Sequence, residues 1–198
     1  ELGEFRMAVN CYQKAIELKP NYVNAHYNLA TVLKELGELK KAANCYQRAI
    51  EIRPDHADTH NNLGVVFKEL RELQKAVVCF QKVIQIKPDR VEDAHVGLGL
   101  VFKGLGEYQK AKSCYEKAIQ IYPDYAEAHN NLGVAFIKLG ENQKAKSCYE
   151  KAIQINPDYA DAYDNLGSIL VSLKKFDEAI KIYQQALRLK PGDKFISH

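Results

Sequence analysis

The stretch QKAKSCYEKAIQI, residues 109–121, returns letter for letter at residues 143–155. An identity of that length across 34 residues marks a repeat, and a period of this size points to stacked supersecondary units rather than one globular core. Working outward, Pro20, Pro54, Pro88, Pro123, Pro157 and Pro191 are spaced 34, 34, 35, 34 and 34 residues apart. Within a period the apolar residues recur at helical intervals. Leu63, Phe67 and Leu70 make one stripe, and Ala76, Phe80, Val83 and Ile84 make another after Arg71. Each period therefore reads as two amphipathic helices joined by a short turn. Such a hairpin cannot bury its own stripe and is stabilised by stacking on its neighbours.

Composition agrees with a protein of this kind. Hydrophobic residues make up 46% of the 198, enough for extensive burial. Lysine and arginine number 28 against 25 acidic residues, and the basic ones stand singly, so no nucleic-acid partner is expected. No apolar run approaches the roughly 18 residues of a membrane span. The chain opens at Glu1 without a visible signal peptide, and its only methionine is Met7, which reads as a piece of a longer protein.

Aligned by period, one position is Leu29, Leu63, Leu98, Leu132 and Leu166, followed by Ala30, Gly64, Gly99, Gly133 and Gly167. The next large apolar position is Leu33, Phe67, Phe102, Phe136 and Leu170. In the second helix, Ala42, Ala76, Ala111, Ala145 and Ala179 are each followed four residues later by Tyr46, Phe80, Tyr115, Tyr149 and Tyr183. Small residues let backbones approach, and the aromatics fill the gap between hairpins. This pattern resembles the tetratricopeptide-repeat family, whose signature has those residue types over 34 positions. The resemblance implies an all-α, right-handed α-solenoid of helix-turn-helix hairpins with eleven helices. It covers a half repeat at 1–20 and full repeats at 23–54, 57–88, 92–123, 126–157 and 160–191, one solenoid over 1–198. Turns are expected near residues 20, 37, 54, 71, 88, 106, 123, 140, 157 and 174.

Departures from the pattern carry expectations of their own. The inter-helix turn holds Gly3, Gly37, Gly106 and Gly140, suited to a left-handed helix end, but Arg71 and Lys174 replace that glycine. His26, His60, His95, His129 and Tyr163 stand where the family commonly has tryptophan. The third full repeat has one extra residue near Arg90, Val91 and Glu92, and four glycines at 97, 99, 104 and 106, so the start of its first helix is expected to be loosened.

The residues that suggest chemistry read as packing. Cys11, Cys45, Cys79, Cys114 and Cys148 share one repeat position, and helices stacked about 8–10 Å apart are too distant for disulfides. Unpaired thiols favour a reducing, cytoplasmic compartment. His56 and His60 with Asp55 and Asp58 suggest a weak metal pair, but no third or fourth ligand has suitable spacing. No nucleophile, base and orienting residue form a group, so neither enzymatic activity nor a cofactor is expected.

In the family the first helices line the concave side, and function in a solenoid lies on that curved surface. The expected peptide-binding face has an acidic rim (Asp58, Asp93, Glu127) and a row of amides: Asn28, Asn62, Asn131 and Asn165, with Asn61, Asn130 and Tyr27 beside them. Gly97 breaks the row. Lys34, Lys68, Lys103 and then Lys138 form the far rim. The rim carboxylates also suit the helix dipole, which accounts for them without any ligand. Exposed amides, each donor and acceptor, match the main chain of an extended peptide. Units such as Asn62-Leu63-Gly64 and Asn131-Leu132-Gly133 resemble the superhelical domain of O-linked N-acetylglucosamine transferases. The resemblance implies a scaffold for a protein or peptide partner, or else the substrate-recruiting arm of a larger enzyme such as a protein glycosyltransferase. A carboxylate clamp fits poorly, because the second position is acidic in the second to fifth full repeats and the fifth and sixth are never basic. Weak end-to-end self-association is expected from uncovered terminal stripes: Ala8, Tyr12 and Ala15 at one end, Ile182, Ala186 and Leu189 at the other.

Overall fold

Helix-favouring side chains fill each period and prolines stand only between periods, so the chain is free to coil until the next Pro or left-handed residue. The computed structural model describes residues 2–88 and 91–189. These form eleven α-helices and no strand: α1 (Leu2–Leu18), α2 (Val23–Glu35), α3 (Leu39–Ile52), α4 (Ala57–Glu69), α5 (Leu73–Ile86), α6 (Glu92–Gly104), α7 (Tyr108–Ile121), α8 (Ala126–Lys138), α9 (Asn142–Ile155), α10 (Ala160–Ser172) and α11 (Phe176–Leu189). All ten expected turns fall between helices.

Two compact units result, residues 1–101 and 102–198, with the boundary inside α6. In the first unit α1 packs on α2, α2 on α3, α3 on α4 and α4 on α5. In the second, α7 packs on α8, α8 on α9, α9 on α10 and α10 on α11. The extra residue of the third repeat does not shorten its first helix, since α6 spans 13 residues like α4 and α8. Asp89, Arg90, Pro191 and the tail beyond it lie outside the described residues.

One turn is used five times. The second residue after each first helix sits in the left-handed region: Gly37 at φ 74°, Arg71 at 62°, Gly106 at 76°, Gly140 at 76° and Lys174 at 60°. The next N–H reaches back to the last turn, as in Glu38 to the Leu33 carbonyl (2.8 Å), Glu72 to Phe67 (2.9 Å) and Lys175 to Leu170 (2.9 Å). This satisfies helix-end carbonyls that would otherwise lack donors. Gly3 departs from expectation. It lies within α1 and is not among the residues with a left-handed φ. Arg71 and Lys174 adopt the glycine geometry at a steric cost. Arg71→Gly and Lys174→Gly are each expected to raise unfolding stability by about 1 kcal/mol, measured by urea titration.

The aromatic packing is as the repeat pattern implies. Tyr46, Phe80, Tyr115 and Tyr149 are almost wholly buried. The Phe80 ring lies so close that a Cβ on Gly64 would stand 3.0 Å from it, and one on Gly97 2.6 Å. Gly133 faces Tyr149 and Gly167 faces Tyr183 in the same way, at 2.5 and 2.6 Å. Gly97 is thus the hole for Phe80, which is why an amide is missing there.

Three histidines tie their repeats to the loop before them. Nε2 of His26, His60 and His129 donates to the carbonyl of Pro20, Pro54 and Pro123 at 2.8, 2.9 and 2.9 Å. All five cysteines are free thiols. Burial pushes the Cys79, Cys114 and Cys148 thiols up to about 11, away from the reactive thiolate.

Candidate functional site

The candidate residues project from α2, α4 and the start of α6 (Asp93) in the first unit, and from the end of α6 (Lys103), α8 and α10 in the second. Asp58 and Glu127 stand exposed in the first turns of α4 and α8, where a carboxylate complements the helix dipole. Asp93 holds the same place in α6. Asp58 also reaches Lys87, at 3.7 Å.

The amides are more engaged than an open ladder. Asn62 Nδ2 donates to the Tyr27 hydroxyl at 3.0 Å, and Asn165 Nδ2 donates to Asn130 Oδ1 at 2.9 Å. Both bonds join the sixth position of one first helix to the fifth position of the preceding one. Asn131 has apolar Val96 at that fifth position, and bonds instead to the Glu127 carbonyl (3.1 Å) and Lys103 Nζ (3.0 Å). Asn130 reaches the Tyr159 hydroxyl at 3.5 Å. The expectation of an exposed row therefore fails at Asn130 and Asn131, each only 6% exposed, because these side chains fill the seam between α8 and its neighbours. Asn28, Asn61, Asn62 and Asn165 stay half-buried. Asn28 makes no side-chain hydrogen bond among the described residues, and the Oδ1 atoms of Asn62 and Asn165 remain available.

The lysine rim is corrected as well. Lys34 is paired with Glu35 at 3.2 Å, whereas Lys68 has no ion pair among the described residues. Lys138 stands one residue out of register, and Ile137 occupies the place of Lys34, Lys68 and Lys103. The helical rotation of one residue moves the Lys138 ammonium away from that line.

A second set of bonds was not anticipated. Thr31 donates to the Tyr27 carbonyl (3.1 Å) and shares a 2.9 Å bond with the Tyr46 hydroxyl. Ser168 repeats this with Asp164 (2.9 Å) and Tyr183 (3.1 Å). The corresponding residues of the third and fourth full repeats are Leu100 and Val134, which offer no partner to a tyrosine hydroxyl. The Tyr115 hydroxyl is accordingly sealed without a hydrogen bond. The signal was present as Thr or Ser fifteen residues before Tyr.

The metal pair weighed from sequence is otherwise committed. His56 Nδ1 caps α4, accepting from the Thr59 N–H at 3.3 Å, while His60 Nε2 holds the Pro54 carbonyl. Among the described residues no group of three or more His, Cys, Asp or Glu is placed to hold an ion. The larger cavity of the first unit, about 770 Å³, lies on the second-helix side between α3 and α5, over Ile50, Phe67 and Val78. In the second unit Lys112 covers Phe136, the equivalent of Phe67, at 5.3 Å, whereas Ala43 stands at the corresponding place in the first.

Comparison with known proteins settles the family. Tetratricopeptide-repeat profiles match residues 90–158 and 124–191, residues 1–37 and 30–71, and residues 57–90. The chain belongs to the tetratricopeptide-repeat family. No curated protein matches it. Among solved structures, MamA is 25% identical with a TM-score of 0.74, covering 82% of this chain and 95% of its own. YrrB, described as a TPR protein with an unusual peptide-binding site, is 23% identical with a TM-score of 0.70, covering 91% and 93%. PilF of Pseudomonas aeruginosa is 23% identical with a TM-score of 0.83, covering 96% and 86%. No helix among the described residues is long and apolar enough to cross a membrane.

Proposed function

We propose that this tetratricopeptide-repeat chain is an interaction scaffold that holds an extended peptide, or an extended segment of a partner protein, against its first helices. The observation that carries the reading is the set of half-buried amides at Asn28, Asn62 and Asn165. They keep hydrogen-bonding capacity after the bonds between helices are made. Side-chain amides can match a main chain at both its N–H and its carbonyl, which suits a peptide of varied sequence. In this reading Tyr27, Asn61, Lys34 and Lys68 flank the peptide in the first unit. Asp58, Asp93 and Glu127 border the face, while Asn130, Asn131 and Lys103 hold it in shape. The bound chain adds no cofactor chemistry. The free thiols suit a reducing compartment such as the cytoplasm.

Peptides selected from a random extended library against the whole chain provide the test. Asn28→Ala with Asn62→Ala is expected to weaken a selected peptide by about 1–3 kcal/mol in calorimetry, with far-ultraviolet circular dichroism unchanged. Unchanged affinity removes the amide face from the account. The Asn-Leu-Gly units at 62–64 and 131–133 support a second role, as the recruiting arm of a protein glycosyltransferase. A reading frame continuing into no such catalytic domain would exclude it. Weak self-association belongs to the same proposal, with altered contacts. Ala186 is buried by α10, and Phe176 (58%), Ile180 (56%) and Leu187 (38%) are the exposed large apolar residues of α11. Sedimentation at rising concentration reads it.

A further inference from the structure

In the second unit a cavity of about 350 Å³ opens between α8, the start of α9, and α10. It exists because the register has changed. Ile137 stands where the first three full repeats carry lysine, and Ser172 stands where the preceding repeat carries Lys138. Two long side chains are thus absent from the space, and Val134, Ile137 and Ile169 wall it with branched aliphatic groups.

At its floor lies Tyr149, which is 2% exposed. Tyr46 and Tyr183 place their hydroxyls on Thr31 and Ser168, but the residue in that position opposite Tyr149 is Val134. The Tyr149 hydroxyl therefore has no hydrogen-bond partner among the described residues, and unlike that of Tyr115 it is not sealed. Burial holds the phenol well above its usual range, so it remains an O–H donor. Lys138 is the sole charged residue of the lining, and it makes no ion pair among the described residues. The carboxylate of Glu141, three residues further along the chain, is bonded to Lys144 at 2.5 Å.

We propose that this cavity is a side-chain pocket for glutamate in the bound peptide, its methylenes against Val134, Ile137 and Ile169 and its carboxylate received by Tyr149 and Lys138. An aliphatic stem suits the walls, and a single negative charge matches a single ammonium with a neutral phenol. Aspartate has one methylene fewer to lay against the walls. An amide of the same length could take the phenol bond but forgoes the charge. The inference rests on the scaffold reading, to which it adds a preference for acidic segments in the second unit.

The test is methyl-detected nuclear magnetic resonance on the whole chain, titrated with N-acetyl-glutamate N-methylamide and with its glutamine analogue. The glutamate probe is expected to give saturable shifts at the Val134, Ile137 and Ile169 methyls. The glutamine probe should bind about two- to fivefold more weakly, the range for a partly exposed charge pair. Tyr149→Phe should weaken the glutamate probe by about tenfold, as for a hydrogen bond to a charged group. Lys138→Gln should make the two probes equivalent, and being exposed it leaves the packing intact. The proposal is overturned if neither probe saturates, if both bind the parent chain alike, or if Tyr149→Phe binds glutamate as tightly as the parent. Fragment binding that fails while the amide-dependent peptide still binds condemns the pocket alone. Fragment binding that persists while the peptide ignores Asn28 and Asn62 supports the pocket and condemns the amide face.

Discussion

Tyr149→Ala is expected to destabilise the second unit by about 3–5 kcal/mol, the usual range for deleting a buried aromatic ring. The ring lies between α8 and α10, and its neighbours along α9, Ala145 and Ala152, are fully buried and too small to refill the space. Gly133 adds nothing to fill it either, since its missing side chain is what admits the ring. Tyr149→Phe separates ring from hydroxyl. The hydroxyl has no partner in the protein, so the phenylalanine variant should unfold within about 0.5 kcal/mol of the parent. Urea unfolding followed by circular dichroism checks both. An alanine variant losing less than about 1 kcal/mol would show that the hairpin repacks around the loss.

Gly133→Val approaches the same contact from the opposite side. A Cβ there stands 2.5 Å from Tyr149 Cε1 and 2.9 Å from Cδ1 and Cζ, a separation real side chains do not tolerate. The contact falls on the body of the ring rather than on the far end of a flexible chain, so the whole ring must shift to relieve it. Overpacking of this kind typically costs about 1–3 kcal/mol, against which leaving glycine inside a helix returns only about 0.5 kcal/mol for a β-branched residue. A net loss near 2 kcal/mol is expected from the same urea titration. Because both substitutions act on one contact, combining Gly133→Val with Tyr149→Ala should cost clearly less than the two single losses added together. Strict additivity would mean that the knob and the hole do not meet.

These two residues were paired by sequence alone, and so was most of the fold. A 34-residue period with a small residue in the first helix and an aromatic in the second favours one packing, and Gly64 with Phe80, Gly133 with Tyr149 and Gly167 with Tyr183 show it. The left-handed turn was equally legible, even where Arg71 and Lys174 replace glycine, because position in the repeat outweighs residue preference there. The candidate site was less so. Asn62 and Asn165 were placed in one row by counting a whole period, but their bonds to Tyr27 and Asn130 span a period plus one residue. That offset comes from the stagger of adjacent helices, which a repeat alignment does not contain. Lys138 was drawn into the lysine row for a similar reason. One residue of displacement looks small in sequence yet turns a side chain by about 100° around the helix. Gly97 was legible as a break in the amide row, while its cause, the Phe80 ring, lies in the preceding repeat.

The histidine bonds run in two opposite directions. A carbonyl oxygen can only accept, so His26, His60 and His129 donate from Nε2, each ring pinning a first helix to the loop that precedes it. His56 is arranged the other way round, its Nδ1 accepting from the Thr59 N–H at the start of α4. Its ring also rests on Tyr27, 5.5 Å between centroids, and Tyr27 receives the Asn62 amide. One imidazole thus couples the first turn of α4 to the amides proposed to hold the partner, so that a fray of that turn would be felt where the peptide is held.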